Sequence, residues 1–258
     1  MAELPPIVLT IAGSDPSGGA GLQADLRTIA AHGLYGAGVP TALTVQNTTG
    51  VASVTVLEPA LVERQLRAVL DDLAVTVIKV GMLGTAEVAR AVLEALPDVP
   101  AVLDPVIRSS SGAALLAEDG VEVLREHAAR LALITPNLAE ASALLGRAVL
   151  DARGAAEELH VRLGCPVLVT GGHGADPTRC VDWLADGAVH GFAGPRIDTE
   201  HDHGTGCLLS TSIACALAAG RGLHAAVEHG RACVARGLRD SLAIGAGTGP
   251  VFLVRPPE

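Results

Sequence analysis

Aromatic residues make up only 2% of this 258-residue sequence: one Trp, one Tyr and two Phe. The core must therefore be built from Val, Leu, Ile and Ala, and the stacking platforms that hold single-stranded nucleic acid are excluded. Positive charge is also scarce. Lys and Arg number 18 against 28 Asp and Glu, for a formal net charge of −10, and such a field repels phosphate backbones and anionic lipid. No apolar run nears the ~20 residues that cross a bilayer. Met1–Pro6 carries no cationic leader, so no signal peptide is expected. The five cysteines (Cys165, Cys180, Cys207, Cys215 and Cys233) are scattered and never form C-x-x-C, which predicts free thiols in a reducing cytoplasm. Neither a Walker loop nor G-x-G-x-x-G is present, which excludes the two commonest glycine-rich nucleotide fingerprints.

What is present is a chain with 49% hydrophobic and 18% charged residues, enough for a sizeable core. Short β-branched runs alternate with Ala/Leu-rich stretches of helical period. Strands are predicted at Ile7–Ile11, Val39–Val45, Val75–Val80, Ala101–Leu103, Leu131–Ile134 and Val167–Thr170. A small edge strand is predicted at Ser53–Leu57, and a hairpin over Asp176–Phe192 turning at Asp186-Gly187. The helix opened by Pro59 is expected to place Leu61, Leu66, Val69 and Leu70 on one face. The alternation predicts an α/β chain with a mostly parallel sheet covered by helices on both faces. With no linker, repeat or low-complexity tract, residues 1–258 are read as a single domain.

Ligands in such sheets sit beyond the carboxyl ends of the strands, and the unusual residues fall there. Gly13-Ser14-Asp15-Pro16-Ser17-Gly18-Gly19-Ala20-Gly21 follows the first strand and permits close backbone approach to a ligand. It reads equally as an ordinary turn. Gln46, after the second strand, offers a donor and an acceptor that match a ring edge bearing an amino group beside a ring nitrogen. It also reads as a loop-ordering amide. Thr135-Pro136-Asn137-x-x-Glu140 has the spacing of a capping box. Alternatively Glu140, with Asp104, orders water around Mg²⁺. His203-Gly204-Thr205-Gly206-Cys207 opens an apolar helix. Its backbone N–H groups form an anion cradle that suits phosphoryl charge. The helix start is expected to lower the Cys207 pKa below its free value of ~8.5. Gly171-Gly172-His173-Gly174 is read as a nucleotide-side loop or a plain turn.

These runs occur together, in order, in one family. Ile11–Asp25, Thr41–Thr48, Lys79-Val80-Gly81-Met82-Leu83, Leu103-Asp104-Pro105-Val106, Thr135–Glu140 and His203–Cys207 resemble those of hydroxymethylpyrimidine/phosphomethylpyrimidine kinases over about residues 7–252. The resemblance implies a ribokinase-like three-layer αβα sandwich and ATP-dependent phosphorylation of 4-amino-5-hydroxymethyl-2-methylpyrimidine to its monophosphate and then its diphosphate, in thiamin biosynthesis. It implies a pyrimidine pocket of Ala20, Asp25, Gln46, Met82 and Val106, and Cys207 as general base of the first step. It further implies an anion hole of the Gly204, Thr205 and Gly206 amides. Asn137, Glu140, Gly171 and Gly172 would lie on the ATP side, Glu140 and Asp104 with Mg²⁺. A cytoplasmic homodimer is the expected state, with neither nucleic acid nor membrane as partner. The chain departs from the family pattern at Thr170, where Lys is usual, at Asp202 and Leu208 around His203–Cys207, and at Ser110. Two rivals follow: a cysteine-bearing pyridoxal kinase, and a non-catalytic pyrimidine-binding protein on a decayed kinase scaffold.

Overall fold

Neighbouring residues along the central strands point to opposite layers, and both are buried. Val8, Val77, Val102, Leu133 and Leu168 face one apolar layer. Leu9, Ile78, Leu103, Ile134 and Val169 face the other. This two-sided burial is why the strands read as unbroken apolar runs, and each such side chain contributes about 1.5–3 kcal/mol. The structure, a computed structural model, describes residues 4–108, 112, 114–172, 178–252 and 256.

The strands are β1 (Ile7–Ser14), β2 (Tyr35–Asn47), β3 (Gly50–Val56), β4 (Val75–Val80), β5 (Ala101–Leu103), β6 (Leu133–Ile134), β7 (Val167–Val169), β8 (Arg179–Ala185) and β9 (Val189–Pro195). They form one sheet in the order β3-β2-β1-β4-β5-β6-β7-β8-β9. The six from β2 to β7 run parallel, while β3, β8 and β9 are antiparallel additions at the two edges. The helices are α1 (Gly21–Ala31), α2 (Pro59–Asp72), α3 (Ala86–Glu94), α4 (Glu118–His127), α5 (Leu138–Leu145), α6 (Ala152–Leu163), α7 (Thr205–Ala218) and α8 (Leu223–Arg239). α1, α7 and α8 pack together on one face, and α2 to α6 follow one another on the other. The fold is thus the three-layer αβα sandwich with a mostly parallel sheet that the sequence predicts.

Local chemistry sets the boundaries. Pro59 occupies the first turn of α2, where its missing N–H costs nothing. Asn137 and Asp151 cap α5 and α6 with side-chain oxygens, and left-handed Gly146 and Gly164 end them. Two expectations are corrected. β2 is longer than predicted at both ends, because Tyr35–Gly38 pair with β1 and Gln46 and Asn47 pair with β3. In α2 the inward row starts at Val62, fully buried with Leu66, whereas Leu61 is 38% exposed. Residues 62, 66 and 69 follow the i, i+4, i+7 rhythm, and Leu61 lies one step off it.

The chain leaves β1 towards β2 on one side and later returns to β4 on the other. The gap beyond β1 and β4 is therefore the topological switch point, where ligands bind in sheets of this kind.

Candidate active site

The loop after β1 turns back on itself and is tied down by Asp15. This buried carboxylate accepts from the Ser17 N–H at 2.9 Å, the Ser17 hydroxyl at 2.7 Å and the Ala20 N–H at 3.0 Å. Its Oδ2 also lies 3.2 Å from His203 Nε2. Burial would raise the Asp15 pKa, but the bond to His203 and those to Ser17 and Ala20 hold it below the usual carboxylate range. His203 Nε2 is 3.4 Å from the Gln46 amide nitrogen, so the loop after β1 and the end of β2 meet the approach to α7; Gln46 lies within β2 rather than after it.

Gly204 is the N-cap of α7 at φ 87°. A Cβ there would run into the Gly19 carbonyl, so both the conformation and the close approach require glycine. The Thr205 N–H donates to the Asp202 carbonyl at 3.3 Å. That turn uses one of the three amides expected in the anion hole. The Gly206 and Cys207 N–H groups have no partner among the described residues, and they open at the start of a 14-residue helix. The cradle is therefore centred on Gly206 and Cys207, with the helix dipole behind them.

Beneath this helix start lies a charged group that the sequence reading did not assemble. Lys79, in β4, and Asp25, in α1, are both fully buried and pair at 2.8 Å. Asp25 also accepts from the Thr10 hydroxyl at 2.6 Å and the Thr211 hydroxyl at 2.7 Å. All three bonds lie inside the molecule and Asp25 is fully buried, so the expectation that Asp25 lines the pyrimidine pocket is corrected. Burial alone would lower the Lys79 pKa, but the charges of Asp25, Cys207 and Asp104 outweigh it and hold the ammonium above its ordinary value.

Cys207 is half-buried above this pair. Burial is the largest influence on its thiol and pushes it up to about 12; Lys79 pulls it down, Asp25 and Asp104 push it further up, and the Gly21 N–H stabilises the thiolate. The expected lowering by the helix start is thus overturned, chiefly because the sulfur is withdrawn from solvent, with the Asp25 and Asp104 carboxylates adding to the rise.

Asp104 follows β5, is 5% exposed, and accepts from the Ser210 hydroxyl at 3.2 Å. Its pKa is raised, chiefly by burial. Glu140 is 8% exposed and pushed up to about 8, first by burial and then by the charge of Asp104. Its Oε2 accepts from the Asn137 N–H at 2.9 Å, and Asn137 caps α5 in return. The capping reading of Asn137-x-x-Glu140 is therefore realised, and the same carboxylate is buried near that of Asp104. Two buried carboxylates that repel one another form a hard-oxygen donor set that suits a Mg²⁺ ion and its waters.

The remaining residues divide. Ala20, the N-cap of α1, lies against Gly204. Met82 packs its sulfur over Gly13 and accepts from Thr41 through its carbonyl at 2.6 Å. Val106 belongs to the adjoining loop after β5. These three stand on loops after β1, β4 and β5, and Gln46 stands near the end of β2. Gly171 is different. Its N–H is held by Asp182 at 2.7 Å and its Cα packs on the backbone of Val181, so it belongs to the hairpin. The Gly172 carbonyl accepts from Arg196 at 2.6 Å. Thr170 bridges to Asn137 on the same rim, and exposed Asp202 turns into α7. Ser110, His173 and Gly174 lie outside the described residues. Lys79 was detectable in the sequence as the lone charge inside an apolar strand; the Asp15–His203 link had no such signal.

The family model described as phosphomethylpyrimidine kinase matches residues 15–252. The hydroxymethylpyrimidine/phosphomethylpyrimidine kinase of Streptomyces coelicolor is 42% identical over 254 residues, covering 96% of this chain and 94% of that protein. The thiamine biosynthesis multifunctional protein ThiED of Corynebacterium efficiens is 42% identical over 257 residues. That match covers 95% of this chain and 35% of the relative, so the chain spans about a third of it. Among solved structures, the pyridoxal kinase from Staphylococcus aureus in complex with ADP superposes with a TM-score of 0.88 at 30% identity, covering 97% of this chain and 94% of that one.

Proposed function

Because the chain belongs to the phosphomethylpyrimidine kinase family, we propose that it transfers the γ-phosphoryl group of ATP to 4-amino-5-hydroxymethyl-2-methylpyrimidine, and then phosphorylates the product to the diphosphate. The observation that carries this reading is Cys207 at the start of α7. Its own N–H and that of Gly206 have no partner among the described residues, and His203, just before this helix, lies 3.4 Å from Gln46.

Phosphoryl transfer asks a protein for positioning and charge stabilisation more than for covalent chemistry. Gln46 would read the amino group and adjoining ring nitrogen, while Met82, Ala20 and Val106 supply apolar walls. The Gly206 and Cys207 amides would hold the transferring phosphoryl oxygens. The proton of the hydroxymethyl group would pass to the Cys207 sulfur, whose thiolate is countered by Lys79 and the Gly21 N–H. Glu140 and Asp104 would hold Mg²⁺ through its waters, and the ion would neutralise phosphate charge when bound. Asn137 and Gly172 would border the nucleotide.

The proposal extends to a single domain working as a cytoplasmic homodimer. Leu43 and Val45 are 51% and 64% exposed on the projecting part of β2, apolar surface that a second copy would cover. All five cysteines are free thiols, as a reducing compartment requires. No helix among the described residues is long and apolar enough to cross a membrane.

The test is product mass after incubation with Mg-ATP and the pyrimidine, with pyridoxal in a parallel tube. Pyrimidine monophosphate and diphosphate are expected. Pyridoxal phosphate alone would move the chain to pyridoxal kinase, and pyrimidine binding without product would make it a non-catalytic binder.

A further inference from the structure

On the layer formed by α1, α7 and α8, three soft ligand atoms converge away from the cleft. His32 caps the C-terminal end of α1, while His229 and Cys233 stand one turn apart on α8. The two Nε2 atoms are 3.0 Å apart. The Cys233 sulfur lies 3.5 Å from His229 Nε2 and 3.8 Å from His32 Nε2. All three lie within 4.8 Å of one another. A tetrahedral ion with Zn–N of about 2.0–2.1 Å and Zn–S of about 2.3 Å separates its ligand atoms by roughly 3.3 Å for N···N and 3.6 Å for N···S. The observed triangle matches that spacing to within a few tenths of an ångström.

The surroundings are those of a metal site. His32 Nδ1 lies 2.8 Å from the Thr28 carbonyl and donates its proton there, which leaves Nε2 as a bare lone pair. His229 is 7% exposed and Cys233 fully buried. Ser212 Oγ is, among the described residues, the one buried side-chain polar atom without a hydrogen-bond partner. It stands beside the Cys233 sulfur, whose pKa burial raises and the Ser212 hydroxyl partly lowers. Burial and the charge of Arg221 lower the His32 pKa, and burial, His32 and Arg221 lower that of His229; metal binds the neutral imidazole. A close helix crossing sets the geometry: a Cβ at Gly230 would stand 2.6 Å from Ile213, so α8 can lie tight on α7.

We propose that His32, His229 and Cys233 form a three-ligand site for a soft divalent cation of the zinc type, which clips the end of α1 to α8. A solvent molecule on the half-exposed His32 side completes the tetrahedron. On binding, the Cys233 thiol gives its proton to bulk water and the cation sheds waters. The site lies at the far end of α1 from the glycine loop, about 17 Å away at 1.5 Å per residue, so it is separate from the phosphoryl-transfer chemistry.

The test titrates the chelator-treated full chain with Co²⁺ and with Zn²⁺. One equivalent of Co²⁺ should give the visible bands of a tetrahedral ion and a thiolate charge-transfer band, and Zn²⁺ should displace it. Cys233→Ser should abolish the charge-transfer band. His32→Gln, at a half-exposed position that tolerates change, should weaken binding at least about tenfold. Zn²⁺ should raise Tm in the wild type and not in Cys233→Ser. Absence of stoichiometric binding would overturn the proposal. So would binding that both variants retain, or binding lost instead in Asp186→Asn, which removes the second His/Asp cluster of Asp186, His190 and His224.

Discussion

Lys79 and Asp25 are joined by a 2.8 Å ion pair in which both side chains are fully buried, directly below the helix that carries Cys207. Such a pair fixes geometry more than it adds stability, but breaking it leaves a charge with no solvent.

Lys79→Met should therefore destabilise the chain by about 3–5 kcal/mol. Lys79→Met combined with Asp25→Asn should recover much of the loss, because no uncompensated charge remains. Urea unfolding of both variants checks this, and equal midpoints for Lys79→Met and the wild type would contradict the pairing.

Cys207→Ala should reduce the first phosphorylation by about 10²–10⁴-fold with the fold intact. The second phosphorylation, whose acceptor is already an anion, should change little. A base pushed up to about 12 gains its active form as pH rises. The rate of the first step at saturating Mg-ATP should then climb towards about tenfold per pH unit on the alkaline side of neutrality. A flat profile would remove Cys207 from the role.

Glu140 gives a prediction of opposite character. Its folded carboxyl keeps a proton up to about 8, against about 4.3 for a free Glu. Between those values the folded chain binds more protons than the unfolded one, so stability contributed here is present at low pH and falls as pH rises through about 8. Glu140→Gln lacks that loss. Its Tm should exceed that of the wild type above pH 8, by about 2–4 °C per kcal/mol relieved, and the gap should close near pH 4. Phosphoryl transfer should fall sharply in the same variant. Scanning calorimetry across pH, with and without Mg²⁺, separates the two effects.

The sheet and its helices were legible because two-sided burial writes itself as apolar runs. The rim glycines were legible because their conformations exclude side chains. The charged floor of the cleft was not. Asp25 sits near the polar start of α1 and reads as a ligand-facing carboxylate, yet α1 turns it inward onto a lysine 54 residues away. That pairing exists only because β1 and β4 are neighbours and α1 lies over them. The thiol of Cys207 was misjudged for the same reason: a helix start is visible in sequence, whereas the burial of the sulfur and the carboxylates near it are brought about by topology. The length of β2 was likewise hidden, since its extension depends on pairing with β1 at its start and with β3 at its end.

The Asp15–His203 contact joins loops 188 residues apart in the chain, and the Gly204 backbone lies directly on the carbonyl of Gly19. On the proposed roles, the acceptor's loop and the phosphoryl cradle would share one seam. A ligand that orders one side has already met part of the entropic cost of ordering the other. The two substrates then become reciprocal effectors: whatever factor the pyrimidine adds to nucleotide affinity, the nucleotide must add to that of the pyrimidine.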